Sequence, residues 1–234
     1  MIRFSTSVVS SLGKKIFMGI TGLMLSGFIV VHLVGNLALL SPDRDPFNKY
    51  AHFLLNLGTA LYLAEIALAA IFIIHFIYAI IITIGNWRAR PNGYKMVTNA
   101  GHTSKKSWAS TTMIYTGALI ITFTILHLLH FKYGEIFMYT TADGHHIRDL
   151  FETVYRYFSN IWNMIFYVIV IILLGYHLSH GFWSAFQSLG LDGERFTPFT
   201  QILGYIFAIV MAIGFILMPV WIHLDVYNIF GGAQ

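Results

Sequence analysis

Four histidines lie deep inside four separate apolar stretches of this chain: His32 in LSGFIVVHLVGNLALL, His75 in IALAAIFIIHFIYAIII, His127 in LIITFTILHLLHF and His177 in VIVIILLGYHLSHGFW. Ionisable side chains are costly at bilayer depth, so four of them on four different segments point to ligation chemistry. Imidazole is the usual axial ligand of haem iron, and two bis-histidine haems would use all four. A single intramembrane histidine serves as well as an interhelical hydrogen-bond partner, so the argument rests on the set.

The segments that must position them follow from composition. Of 234 residues, 57% are hydrophobic and 10% charged, which is too apolar for one soluble core. An integral membrane protein is expected, all-α, with the lipid bilayer as its main partner. The chain has no cysteine, which excludes disulfides, thiolate haem ligation and cysteine-bound iron-sulfur clusters. With so few charges, the net +4 says less than where the charges fall, and no nucleic-acid partner is expected. Five stretches reach the ~20 helical residues that a bilayer needs: Ile16 to Leu40, Leu57 to Gly85, Thr111 to Phe131, Ile161 to Ser188 and Ile202 to Ile222. The first is too long for a signal peptide and lacks a small-residue cleavage pattern. No repeat or linker divides the chain, so residues 1–234 are read as one domain.

Lysine and arginine placement sets the expected orientation. Arg88, Arg90, Lys95, Lys105 and Lys106 lie between spans two and three without an acid, and Arg3, Lys14 and Lys15 precede or open span one. Both regions are assigned to the cytoplasm, which puts the N-terminus inside and the C-terminus outside. The mixed charges of the Leu189 to Phe199 loop dissent only weakly. Trp87, Trp108, Trp162, Trp183 and Trp221 all fall near span ends, where aromatic belts form.

Depth then sorts the histidines into pairs. At ~1.5 Å per residue, His32 lies ~24 Å from the inner end at Ile16, and His127 ~24 Å from Thr111. His75 is ~15 Å from Gly85 and His177 ~17 Å from Ser188. One haem would bridge spans one and three near the outer face, and the other spans two and four nearer the cytoplasm. Spacing alone does not separate His127 from His130 or His177 from His180, since each couple shares nearly one helix face. His52 and His130 read as interfacial, and His102, His145, His146 and His223 as solvated. Gly35, Gly175 and Gly181 stand near the nominated ligands, where a missing side chain admits either a flat macrocycle or a neighbouring helix.

The strings KIFMGITGLMLSGFIVVHLVGN, FNKYAHFL, NWRARP, SWAS and above all GYHLSHGFWSAFQSLG give the chain a resemblance to a family. It resembles, over nearly its whole length, the cytochrome b subunit of succinate dehydrogenases and quinol:fumarate reductases, in the single-anchor, five-helix, two-haem type found with menaquinone. The resemblance implies two haem b groups, with His32 and His127 ligating the distal one and His75 and His177 the proximal one. It favours His177 over His180. It further implies a flavoprotein subunit and an iron-sulfur subunit as partners, menaquinone as substrate, a bacterial cytoplasmic membrane, and no succinate site on this chain. The basic Arg88 to Lys106 loop and the N-terminal segment could receive the iron-sulfur subunit, although topology control alone accounts for their charge.

Quinone chemistry moves two protons with two electrons, so it needs ionisable groups beside an apolar slot. Glu65 is the carboxylate well inside a span and is the main candidate, with Asn36, Asn56 and Tyr62 as polar neighbours. By side of the membrane, Arg88 and Lys106 would face the inner haem propionates, and Lys49 and Lys132 the outer ones. Two other classes share some of these features. The two-haem anchor of a hydrogenase or formate dehydrogenase fits the ligand count but not HLSHGFWSAFQSLG. Membrane di-iron oxygenases have paired histidines, but these cluster at one membrane face.

Overall fold

The structure, a computed structural model, describes residues 10–89 and 108–226. Arg3, Arg90, Lys95, His102, Lys105 and Lys106 lie outside the described residues, so the basic inner loop is not part of the picture beyond Arg88. The fold is an all-α membrane bundle. In chain order, α1 is Ser11–Asn36, extended by a 3-10 turn Leu37–Leu40; α2 is Asp45–Asn56; α3 is Thr59–Ala89; α4 is Trp108–His127, extended by a π turn Leu128–Lys132. A hairpin of β1 (Met138–Thr140) and β2 (His146–Arg148) follows, then α5 (Leu150–Ser159), α6 (Ile161–Ser188) and α7 (Phe196–Val226).

Helices α1, α3, α4, α6 and α7 are long and apolar enough to cross a bilayer. Lipid offers no hydrogen bonds to the backbone, and a helix satisfies each peptide group within its own segment. The expected fourth span, Ile161 to Ser188, coincides with α6. The others differ at their ends: span one begins at Ser11, and span five at Phe196, each a turn or more before the apolar run. Span two begins at Thr59, because Gly58 adopts φ +53 and breaks α2 from α3.

The described chain packs as two compact units, and every long helix gives a stretch to each. The first draws on α1 up to Phe28, α3 from Ala67, α4 up to Ala118, α6 from Gly175 and α7 up to Ile209. Its helices meet closely at small residues: a Cβ on Gly19 would lie 3.1 Å from the Ala185 carbonyl, and one on Gly204 3.3 Å from the Trp183 side chain. Trp183 is buried, unlike Trp87, Trp108, Trp162 and Trp221. It belongs to helix packing rather than to an aromatic belt, because its ring fills the space that Gly204 leaves.

The second unit takes the remaining stretches together with α2, the hairpin and α5. Asn48 is fully buried and ties this end together. Its Nδ2 donates to Asp149 Oδ1 at 2.7 Å, and its Oδ1 accepts the Phe151 amide at 2.8 Å. Asp149 also caps α5 by accepting the Glu152 amide at 3.0 Å, and it takes Arg44 Nη1 at 2.8 Å. Beside this, Tyr139 donates to Asp45 at 2.6 Å, while Lys49 reaches Asp143 at 2.6 Å and Asp45 at 3.2 Å. Desolvation, reinforced by the Asp45 carboxylate, pushes the Tyr139 phenol up to about 12. The Tyr139 hydrogen bond in turn holds the Asp45 carboxyl below its ordinary value. His223, expected to be solvated, is buried, and its Nδ1–H donates to the Phe158 carbonyl at 2.8 Å. That bond gives the imidazole in the last turn of α7 a reason to leave water.

Candidate functional site

In the second unit, α1 carries His32 and α4 carries His127 to the same place. Their ring centroids are 5.8 Å apart, with the rings nearly perpendicular at 81°. Two imidazoles ligating one iron from opposite sides, with metal–nitrogen bonds of ~2 Å, have ring centres about 6 Å apart. The pair fits a bis-histidine haem on that measure. Phe215 and Phe123 flank the two rings at 5.8 and 5.7 Å. Asn36 Nδ2 donates to the His32 carbonyl at 2.7 Å and stands 3.4 Å from His32 Nδ1. The Tyr167 hydroxyl is 3.5 Å from His127 Nδ1.

The π turn that ends α4 bears on the choice between His127 and His130. The Tyr133 amide bonds back to the Leu128 carbonyl at 3.0 Å, five residues earlier, and this wider turn breaks the α register just after His127. His130, inside that turn, lies over Tyr157 with ring centroids 4.5 Å apart, and its Nδ1 is buried. It packs against α5. His127 is the residue opposite His32.

In the first unit, α3 carries His75 and α6 carries His177. Each is backed by a threonine of a different helix. Thr21 Oγ1 on α1 lies 3.1 Å from His75 Nδ1, and Thr116 Oγ1 on α4 lies 3.1 Å from His177 Nδ1. The glycine after each threonine borders the ring: a Cβ on Gly22 would be 3.4 Å from His75 Cε1, and one on Gly117 3.6 Å from His177 Cε1, both ordinary contacts. His180 packs edge-on against Trp183 at 5.1 Å, and its buried Nδ1 has no partner. Metal-bound histidines typically donate their second ring nitrogen to a neighbouring group, so His177 has the surroundings of a ligand and His180 does not.

Thr21, Thr116, Gly22, Gly117 and Tyr167 were not singled out from sequence. A signal existed: the dipeptide Thr-Gly occurs at 21–22 and again at 116–117 within apolar runs, as ITG and YTG. The glycines that were singled out fare differently. A Cβ on Gly35 would meet the Tyr50 hydroxyl at 2.5 Å, so its space belongs to the α1–α2 contact and not to a macrocycle. Gly181 faces Met113 at 3.6 Å.

Of the quinone candidates, Glu65 on α3 pairs with Lys132 at 2.5 Å, Asn36 serves His32, and Tyr62 is exposed on its helix. Lys49 and Lys132 are both engaged by carboxylates, which leaves neither as a free cation for a propionate. Arg88, exposed in the last turn of α3, is the described member of the inner pair of cations. Among the described residues, no group of three or more histidine, cysteine or acidic side chains converges to hold a metal ion. The intramembrane histidines come in twos. The chain matches no family model, no curated protein and no solved structure in three comparisons.

Proposed function

We propose that the chain is the cytochrome b membrane anchor of a succinate:menaquinone oxidoreductase, holding two haem b groups. The observation that carries this reading is the meeting of His32 and His127, from two helices, with ring centroids 5.8 Å apart, beside two further intramembrane histidines, His75 and His177, that each have a threonine hydroxyl at Nδ1. His32 and His127 would hold the outer haem and His75 and His177 the inner one. Bound haem supplies a one-electron redox centre. The protein's own part is to keep the four imidazoles neutral, oriented and away from water, and to bring menaquinone to a group that exchanges protons. Menaquinone takes two electrons and two protons to become menaquinol, and the same atoms return in the reverse direction. Glu65, with Lys132 beside it, is the ionisable group that would exchange those protons. A flavoprotein subunit and an iron-sulfur subunit would carry the succinate chemistry on the cytoplasmic side of a bacterial inner membrane.

Two imidazoles facing each other across 5.8 Å, as His32 and His127 do, suit haem, whereas a membrane di-iron site needs a larger cluster of nitrogen and oxygen donors on each metal pair. The HLSHGFWSAFQSLG string and a flavoprotein partner separate this reading from a hydrogenase-type or formate-dehydrogenase-type anchor. The test is a reduced-minus-oxidised spectrum with a pyridine haemochrome count on the purified complex. Two haem b per chain, copurifying with a covalent flavoprotein, are expected. Iron without extractable porphyrin, or a complex without flavin, would overturn it.

A further inference from the structure

We propose that Thr21 and Thr116 are positioning residues that fix the tautomer of His75 and His177 and thereby tune the inner haem; this deepens the haem reading above and rests on it. The Thr21 hydroxyl stands 2.7 Å from the Phe17 carbonyl and 3.2 Å from that of Met18. A carbonyl only accepts, so the single hydroxyl proton is committed to the backbone, and what Oγ1 offers His75 Nδ1 at 3.1 Å is a lone pair. His75 must then carry its proton on Nδ1. Thr116 repeats the arrangement one helix away: its hydroxyl faces the carbonyls of Thr112 at 3.2 Å and Met113 at 3.1 Å, and its oxygen accepts from His177 Nδ1 at 3.1 Å.

With hydrogen on Nδ1, the free lone pair of each ring lies on Nε2, the nitrogen that a metal would take. Gly22 and Gly117, next to the threonines, also border these rings: a Cβ there would stand in ordinary contact with Cε1, at 3.4 and 3.6 Å. Each threonine thus sets the proton of one inner ligand. His180, three residues from His177, has no such acceptor at its buried Nδ1. The outer pair is held differently, by the amide of Asn36 at 3.4 Å and the phenol of Tyr167 at 3.5 Å.

An imidazole that donates a hydrogen bond is a more basic ligand and favours the oxidised iron, so losing the acceptor should raise the potential of the inner haem. Thr21→Val and Thr116→Val keep the shape and remove the oxygen; Thr21→Ser and Thr116→Ser keep the oxygen. In the intact complex, each valine variant should hold two haems, with the reduced-to-oxidised ratio of the inner haem at fixed potential raised about threefold to tenfold per hydroxyl lost. Tenfold corresponds to 59 mV for a one-electron couple. Each serine variant should return the ratio to the wild-type value, and the outer haem should not move in any of them. If a valine variant sheds the inner haem, retention in the matching serine variant supports the proposal and loss in both overturns it. Haem retained at an unchanged inner potential in the valine variants also overturns it, whereas a wild-type complex without haem defeats the underlying reading instead.

Discussion

Lys132 Nζ meets the Glu65 carboxylate at 2.5 Å, joining the π turn at the end of α4 to the outer part of α3. The acid that stands within a membrane span is therefore held next to a cation rather than alone in lipid, and both side chains keep about a third of their surface exposed, at 35% and 36%. The pair joins two helices, and in the reading proposed above its carboxylate is the group that would pass protons.

Glu65→Gln should keep both haems and slow quinone-linked turnover roughly tenfold or more, because the amide keeps the shape but exchanges no proton. Succinate oxidation with a dye that takes electrons upstream should stay near wild type. Equal loss in both assays would mark an assembly defect, and unchanged quinone turnover would remove Glu65 from the mechanism.

Haem content should divide the histidines. His75→Ala or His177→Ala is expected to cost the inner haem, and His32→Ala or His127→Ala the outer one, as counted by pyridine haemochrome. His130→Ala and His180→Ala should leave two haems per chain, because those rings pack against Tyr157 and Trp183. A haem lost with His180 but kept without His177 would reverse the assignment on α6.

Asn48→Ala should destabilise the outer end by about 2–4 kcal/mol, since it leaves the buried Asp149 carboxylate one partner short and the Phe151 amide without its acceptor. Thermal denaturation in detergent, followed by cleavage of the hairpin segment, would report it as a lower midpoint with the haem spectrum intact below the transition. Asp43→Ala, at an exposed turn, serves as the control and should change little.

The Tyr139–Asp45 contact should be lost at both ends of the pH scale. Asp45 titrates below its ordinary value, so its contribution is present at neutral pH and disappears only as pH falls through that lowered pKa. Tyr139 is raised to about 12, so its contribution is complete below pH 10 and is lost as pH climbs towards 12. Tyrosinate absorbance, taken as the difference between wild type and Tyr139→Phe, should show one phenol ionising late. A midpoint near 10 would mean that the hydrogen bond is absent in solution.

Sidedness can be read with single cysteines, since the chain has none of its own. Positive charge at the N-terminal end and between spans two and three would put the hairpin outside and the α6–α7 loop inside. Ala142→Cys should react with a membrane-impermeant thiol reagent in intact cells, and Asp192→Cys should be protected. The opposite pattern would invert the subunit and exchange the roles of the two histidine pairs.

The spans were legible in the sequence because a bilayer imposes one demand on every crossing segment, some 20 apolar residues. The expected histidine pairing has a related basis: in straight crossing helices, counting residues from an end measures depth, and the structure does bring His32 and His127 together. Faces and partners were not legible, because they depend on which helix comes alongside. Thr21 reaches His75 across 54 residues of sequence and Thr116 reaches His177 across 61, so no local pattern announces either bond. The choice of His127 over His130 needed the π turn, a one-residue change in hydrogen-bond register that hydropathy does not record. The burial of Trp183 against Gly204 and of His223 against Phe158 likewise came from tertiary contact, which turned a residue that composition assigns to the membrane edge into an interior one. What the sequence determined was depth along each helix, because that is a matter of length and solvent. What the tertiary structure decided was rotation about each helix axis, because only packed neighbours fix it.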